Sequence, residues 1–255
     1  MAFTDTHCHL YLEDFKDDIA DTLNRAEAAG VSRFYMPAID SRTLFSMLDL
    51  ESRFPAKCWP MAGLHPCSVK ENYQAELSLV REQIDQRAFA AVGEIGLDFY
   101  WDRSFDNQQI EAFEQQVDWA IEKDLAIVIH SRESMETCIE IVQKKQHGSL
   151  RGIFHCFTGS LENAKKIMDL GFFMGIGGVL TYKNSGLAET IKNVPMEFIV
   201  LETDSPYLTP VPYRGKRNES SYIAIIAKKL AEVKGIDITE IEKITTDNAQ
   251  KIFRT

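Results

Sequence analysis

The stretch Gln108–Arg132, QQIEAFEQQVDWAIEKDLAIVIHSR, holds the repeating unit of the whole chain. Its first part, Gln108–Lys123, spaces Ile110, Phe113, Val117 and Ile121 so that they fall on one stripe of a helix, with charged and amide side chains on the rest. Its second part, Leu125–His130, is an apolar run of strand length, as expected for a strand covered on both faces in a parallel sheet. The run ends abruptly in a histidine, followed by Ser131 and Arg132.

Outward from this unit the same alternation recurs. Candidate strands are Phe3–Leu10, Arg33–Ile39, Cys58–Leu64, Phe89–Leu97, Leu125–His130, Gly152–Phe157, Phe172–Ile176 and Phe198–Glu202. Helical spacing marks Phe15–Ala29 and Leu161–Leu170, and a last helix is expected near Ile238–Phe253. Gly30 and Gly171 stand where helix stops belong. Eight strands leave about 32 residues per unit, near the minimal length of a strand–helix–strand crossover. An open doubly wound sheet shares the local pattern, but the count of eight favours a closed, TIM-like (β/α)8 barrel of the α/β class, forming one domain over residues 1–255. No Pro- or Ser-rich linker divides the chain. The one long irregular segment, Ser205–Ser221, carries Pro206, Pro210, Pro212 and Gly215 and has the length of a functional loop.

Composition bounds the function classes. The N-terminus, Met-Ala-Phe-Thr-Asp, has no basic start, and no apolar run approaches the roughly 18 residues of a membrane span, which points to a cytoplasmic protein. The five cysteines include no C-x-x-C pair, so buried, reduced thiols are expected rather than disulfides or a cysteine zinc cluster. The formal net charge of −10 excludes nucleic-acid binding by bulk attraction, so an anionic substrate needs local cations. The oligomeric state is left open, and a monomer is compatible with it.

The chemistry sits at strand ends. Of six histidines, His7, His9, His65, His130 and His155 fall at the C-terminal ends of candidate strands, which in a barrel form the active-site face. In Asp5-Thr6-His7-Cys8-His9, residues two apart share a side, so His7 and His9 face the barrel mouth and Cys8 faces away. In Gly93-Glu94-Ile95-Gly96-Leu97-Asp98, an acid inside an apolar strand needs a partner, either a metal or a lysine or arginine. His130 and His155 each close an apolar strand. In Val200-Leu201-Glu202-Thr203-Asp204, Asp204 is placed to ligate metal or take a proton, and Glu202 to support a ligating histidine or enter an internal salt bridge. Four histidines and two acids suffice for two divalent ions sharing a carboxylate, with zinc, manganese or magnesium suited to this nitrogen and oxygen set.

These pieces resemble the TatD family of metal-dependent deoxyribonucleases, within the amidohydrolase-like barrel superfamily. The resemblance extends through Gly63-Leu64-His65-Pro66, His130-Ser131-Arg132, His155-Cys156-Phe157-Thr158-Gly159-Ser160, Glu202-Thr203-Asp204-Ser205-Pro206-Tyr207-Leu208 and Arg214-Gly215-Lys216-Arg217-Asn218, in order over nearly the whole chain. It implies a TIM-like barrel with two ions, one held by His7, His9, Glu94 and Asp204 and the other by Glu94, His130 and His155. It also implies Asp204 as the base for the attacking water, with Glu94 beside it at the reacting centre. The implied activity is phosphodiester cleavage from DNA ends, 3′ to 5′, on single strands or 3′ ends. One departure is visible: where the family often has proline, two residues after Asn218, this chain has Ser220.

Arg132, Arg214, Lys216 and Arg217 are candidate phosphate contacts, against the alternatives of a salt bridge for Arg132 and a solvated loop for the others. His65, without a ligand role, is a candidate substrate contact or a hydrogen-bonding support. Phe99-Tyr100-Trp101-Asp102-Arg103 either stacks a base or packs over the barrel mouth. The competing functions are a lactonase, amidase or deaminase on the same barrel, and a non-catalytic metal-binding barrel. Glu94 stands where many binuclear amidohydrolases carry a carboxylated lysine, and all six ligands are present, which argues against both.

Overall fold

The computed structural model describes residues 2–254. The apolar runs form eight parallel strands: β1 (Phe3–Asp5), β2 (Val31–Pro37), β3 (Cys58–Met61), β4 (Ala91–Asp98), β5 (Ala126–Arg132), β6 (Gly152–Phe154), β7 (Phe173–Ile176) and β8 (Ile199–Leu201). Strands β1 to β3 pair in sequence order, as do β4 to β8. The two sets are stitched by the bridge Ala62–Val92, with Gly93 N donating to Ala62 O at 2.9 Å. At the other seam Thr6 N donates to Leu201 O at 3.0 Å, and Cys8 bridges Ser205. The circle is therefore closed: the chain is a (β/α)8 barrel.

Helices α1 (Ile19–Ala28), α2 (Ser41–Arg53), α3 (Tyr73–Gln86), α4 (Asp106–Glu122), α5 (Met135–Lys145), α6 (Leu161–Asp169), α7 (Leu187–Lys192) and α8 (Ile223–Lys234) follow the strands in turn. A ninth, α9 (Ile238–Phe253), ends the described chain. Helix α1 stops at Gly30 and α6 at Gly171, both with positive φ.

Alternation along β5 separates two cores. Ile127 and Ile129 join the apolar layer under the helices, whereas Ala126 and Val128 join Tyr35, Met61, Ile153 and Val200. Ala249, Ile252 and Phe253 of α9 belong to that second cluster, and the Phe253 ring stacks on Tyr35 at 3.8 Å. The last helix thus stoppers one end of the barrel with apolar side chains. His130 continues the Ala126–Val128 row toward the opposite end.

Several strands are shorter than the apolar runs. The expected strand Phe3–Leu10 ends at Asp5, so His7 and His9 lie beyond it. The reason is the seam: Thr6, Cys8 and His9 send their N–H groups alternately to Leu201, Tyr35 and Ser205, on both sides of the segment, which breaks a regular ladder but keeps the alternation. Cys8 is accordingly buried away from the mouth. Likewise β6 ends at Phe154, one residue before His155.

Helix α4 reaches into the site through two buried glutamines. Gln116 accepts from Leu64 N at 2.7 Å and donates to Leu64 O at 3.3 Å. Gln109 does the same for Asp98, at 2.8 and 3.2 Å. Each amide satisfies backbone groups where a strand end breaks off, next to His65 and at the end of β4. Gln116→Leu leaves both polar groups of Leu64 buried and unpaired, and is expected to cost about 2 kcal/mol or more in urea denaturation. An unchanged midpoint would show that the brace carries no load.

Candidate metal centre

Glu94 is the centre of the site. It is 2 % exposed, and burial alone pushes its carboxyl up. The imidazoles of His155, His65 and His7, with the hydrogen bond from His130, outweigh burial and hold it well below the usual carboxylate range. Its two oxygens face different partners. Oε2 lies 3.2 Å from His7 Nε2 and 3.6 Å from His9 Nε2. Oε1 lies 2.9 Å from His130 Nδ1, 2.8 Å from His155 Nε2 and 3.3 Å from His65 Nε2. Among the described residues, no lysine or arginine nitrogen pairs with it, so the ion-pair alternative does not hold. Asp204 Oδ1 completes the first half, 3.7 Å from His7 Nε2 and 3.5 Å from His9 Nε2.

The outer partners decide which nitrogens hold a lone pair. Tyr11 gives its hydroxyl proton to Pro37 O at 2.5 Å, so its oxygen accepts from His9 Nδ1 at 2.9 Å. With the one ring proton placed on Nδ1 by this bond, His9 turns Nε2 toward Glu94 and Asp204 as its ligand atom. His130 Nε2 is bound by Asp98 Oδ2 at 2.9 Å, which leaves Nδ1 as its inward atom. His65 is the reverse. Its Nδ1 accepts from Cys67 N at 3.0 Å, so its Nε2 carries the proton and points a donor into the site. His65 is close enough to Glu94 and His130 to complete a ligand set, but its tautomer excludes it from ligation. His7, stacked on His155 at 3.8 Å, is held below its ordinary pKa by burial and by that neighbour, and so stays neutral. The inward nitrogens of His7 and His9 face the carboxylates of Glu94 and Asp204 at 3.2 to 3.7 Å, a spacing and donor set that fit a cation between them.

Glu202 is fully buried. It accepts from Cys156 N at 2.5 Å, while its distance to His155 Nδ1, 3.7 Å, exceeds a hydrogen bond. Besides its charge near the ring, it acts on His155 through the backbone: Cys156 holds a left-handed φ of 47°, and the Glu202 carboxylate secures that turn. Asp204, with φ of 56°, is held in the same way by its N–H to His7 O at 2.9 Å. Glu202 has room because position 175 is glycine; a Cβ there would meet Oε2 at 2.1 Å.

Three contributors escaped the sequence reading as individual residues. Asp98 was visible only as the end of a motif. Tyr11 has no signal beyond lying two residues after His9. Asp5, fully buried, accepts from Thr203 Oγ1 and Ser220 Oγ at 2.6 Å each, and burial pushes its pKa up to about 7. Ser220 thus fastens the last loop to β1.

The centre opens into a cavity of about 650 Å³ lined by His65, Trp101, Arg132, Thr158, Tyr207 and Leu208 among others. Arg132 is in no ion pair among the described residues; its guanidinium lies over Tyr100 and Trp101 at 3.9 and 4.9 Å. The other basic candidates do not line the cavity. Arg214 lies over Tyr182 at 4.0 Å and Lys216 is exposed. Arg217 is committed elsewhere: it donates to Asp18 at 2.7 and 2.8 Å and to Asp14 O at 2.6 Å. It is therefore a tie between the last loop and α1, not a free phosphate contact.

Histidines and carboxylates gathered at the open end of a β/α barrel define a metal-dependent hydrolase. The chain belongs to the family described as TatD related DNase, whose sequence model matches residues 4–254. It is 36% identical over 251 residues to the uncharacterized metal-dependent hydrolase YabD of Bacillus subtilis, covering 98% of each chain. It is 31% identical to the uncharacterized metal-dependent hydrolase YcfH of Escherichia coli, covering 99% of this chain and 96% of that one. The crystal structure of the TatD homologue YjjV from Escherichia coli superposes with a TM-score of 0.94 at 28% identity, covering 99% and 98%.

Two expectations follow. Burial opposes protonation of His130 and His155, but Asp98 with Glu94, and Glu94 with Glu202, outweigh it and raise both pKa values. A metal ion must therefore displace protons from these rings. Affinity for zinc measured by titration calorimetry should rise from about pH 6 to about pH 8, with proton release on binding; a pH-independent affinity would contradict this. Tyr11→Phe, which removes the acceptor for His9 Nδ1, should weaken metal affinity about tenfold with the fold retained, and an unaltered affinity would remove Tyr11 from the centre.

Proposed function

We propose that this metal-dependent hydrolase is a cytoplasmic deoxyribonuclease that removes nucleotides from the 3′ ends of DNA with two divalent ions. His7, His9, Glu94 and Asp204 would hold one ion, and Glu94, His130 and His155 the other, with zinc, manganese or magnesium as the metal. The division of Glu94's two oxygens between separate nitrogen sets is the observation that carries this reading. Such a pair, when bound, supplies an activated water and charge neutralisation at a phosphoryl group.

The chain's own residues supply the rest. Asp204, whose side chain is partly open to the cavity, is placed to take the proton of the attacking water. His65 directs an N–H into the same space and can donate to a phosphate oxygen. Arg132 brings the positive charge of a guanidinium to the cavity wall. Arg214 and Lys216, on the loop that supplies Tyr207 and Leu208, suit phosphates of the strand beyond the cavity. The unpaired state of all five cysteines fits a reducing compartment, and no helix among the described residues is long and apolar enough to cross a membrane.

The test is digestion of end-labelled single- and double-stranded DNA, with and without chelator, beside lactone and amide substrates. A ladder shortening from the 3′ end, lost with chelator and reduced on the order of a hundredfold or more in Asp204→Ala, is expected. Turnover of lactones or amides with intact DNA would overturn the assignment.

A further inference from the structure

We propose that Tyr100, Trp101 and Arg132 form a stacking wall for the unpaired base of the terminal nucleotide. The proposal rests on the nuclease reading above and names how the substrate end is recognised. Trp101 is 68% exposed and Tyr100 49%, an apolar area that packing of the barrel does not use. Yet their backbone is fixed. Asp98 Oδ1 accepts the N–H of Tyr100 at 3.0 Å and of Trp101 at 3.1 Å, while its Oδ2 holds His130. One carboxylate thus sets the aromatic loop at a defined distance from the metal centre.

Arg132 closes the circuit. It lies two residues beyond His130 on β5, its guanidinium covers both rings, and among the residues lining the cavity it is the one arginine or lysine. A cation on an aromatic face presents a flat surface with positive charge at its edge, which suits a base stacked beside its own phosphate. A cavity of about 650 Å³ is in the range that takes a whole small ligand, so it has room for a nucleotide and not only for its phosphate. Stacking accepts any base, because every base has a flat face, but the end base of a duplex is already paired and stacked. The wall therefore selects frayed or single-stranded ends without reading sequence.

The test compares kcat/KM of the metal-loaded enzyme on two single-stranded oligonucleotides that differ only in whether the 3′-terminal nucleotide carries a base or is abasic. The wild type should prefer the base-bearing end about tenfold. Trp101→Ala should reduce that preference to below about twofold, and Trp101→Phe, which keeps a flat ring, should retain most of it. Trp101 is exposed, so neither change threatens the fold, and metal content checks the centre. Equal rates on the two ends by a wild type that degrades DNA well, or a preference that survives Trp101→Ala, would overturn the wall and leave the nuclease reading standing. Failure to cleave either oligonucleotide, with metal bound, would overturn both.

Discussion

A carboxylate buried among imidazoles is the constraint on which the rest of the structure depends. Glu94 lies inside a closed barrel, and its nitrogen partners are histidines rather than a lysine or arginine. An isolated charge in such a place costs several kcal/mol. Here the surrounding rings lower that cost, and a divalent cation would lower it further by replacing protons between acceptors. The strands that end around Glu94 each deliver one part of its surroundings, so the site needs the barrel closed, and the two seams of the barrel lie next to it. Closure at β3–β4 places Glu94 itself, and closure at β8–β1 places His7, His9 and Asp204.

A second layer of residues fixes what the first can do. Tyr11 and Asp98 set which nitrogen of His9 and His130 turns inward, and Cys67 N makes the opposite choice for His65. Distance alone groups His65 with the ligands; the tautomer separates it. Glu202 and the His7 carbonyl hold Cys156 and Asp204 in left-handed backbone that neither residue favours. At the other end of the barrel α9 fills the floor, opposite the mouth where the cavity opens.

Much of this was legible in the sequence because it follows from period and position. The apolar stripe of Gln108–Lys123, the run Leu125–His130 and the histidines closing successive strands follow from the repeat of 3.6 or 2 residues, and the last helix falls at Ile238–Phe253 as expected. What was not legible depends on contacts between distant segments. Nothing local to His7 says that its segment leaves the ladder at Asp5, because that break is set by Leu201 and Ser205 nearly two hundred positions away. Gln109 and Gln116 look like surface residues of an amphipathic helix until the strand ends they satisfy are known. Arg217 reads as part of a basic cluster, and only the fold brings Asp18 to it.

Metal stoichiometry addresses the bridging role of Glu94 most directly. Purified protein, loaded with zinc and dialysed, should retain two ions per chain by elemental analysis, about the number its two ligand sets can hold. Glu94→Gln should retain fewer than one, because both sets lose their shared charged oxygen donor. Two ions retained by Glu94→Gln, or a wild type that never exceeds one, would contradict the bridge.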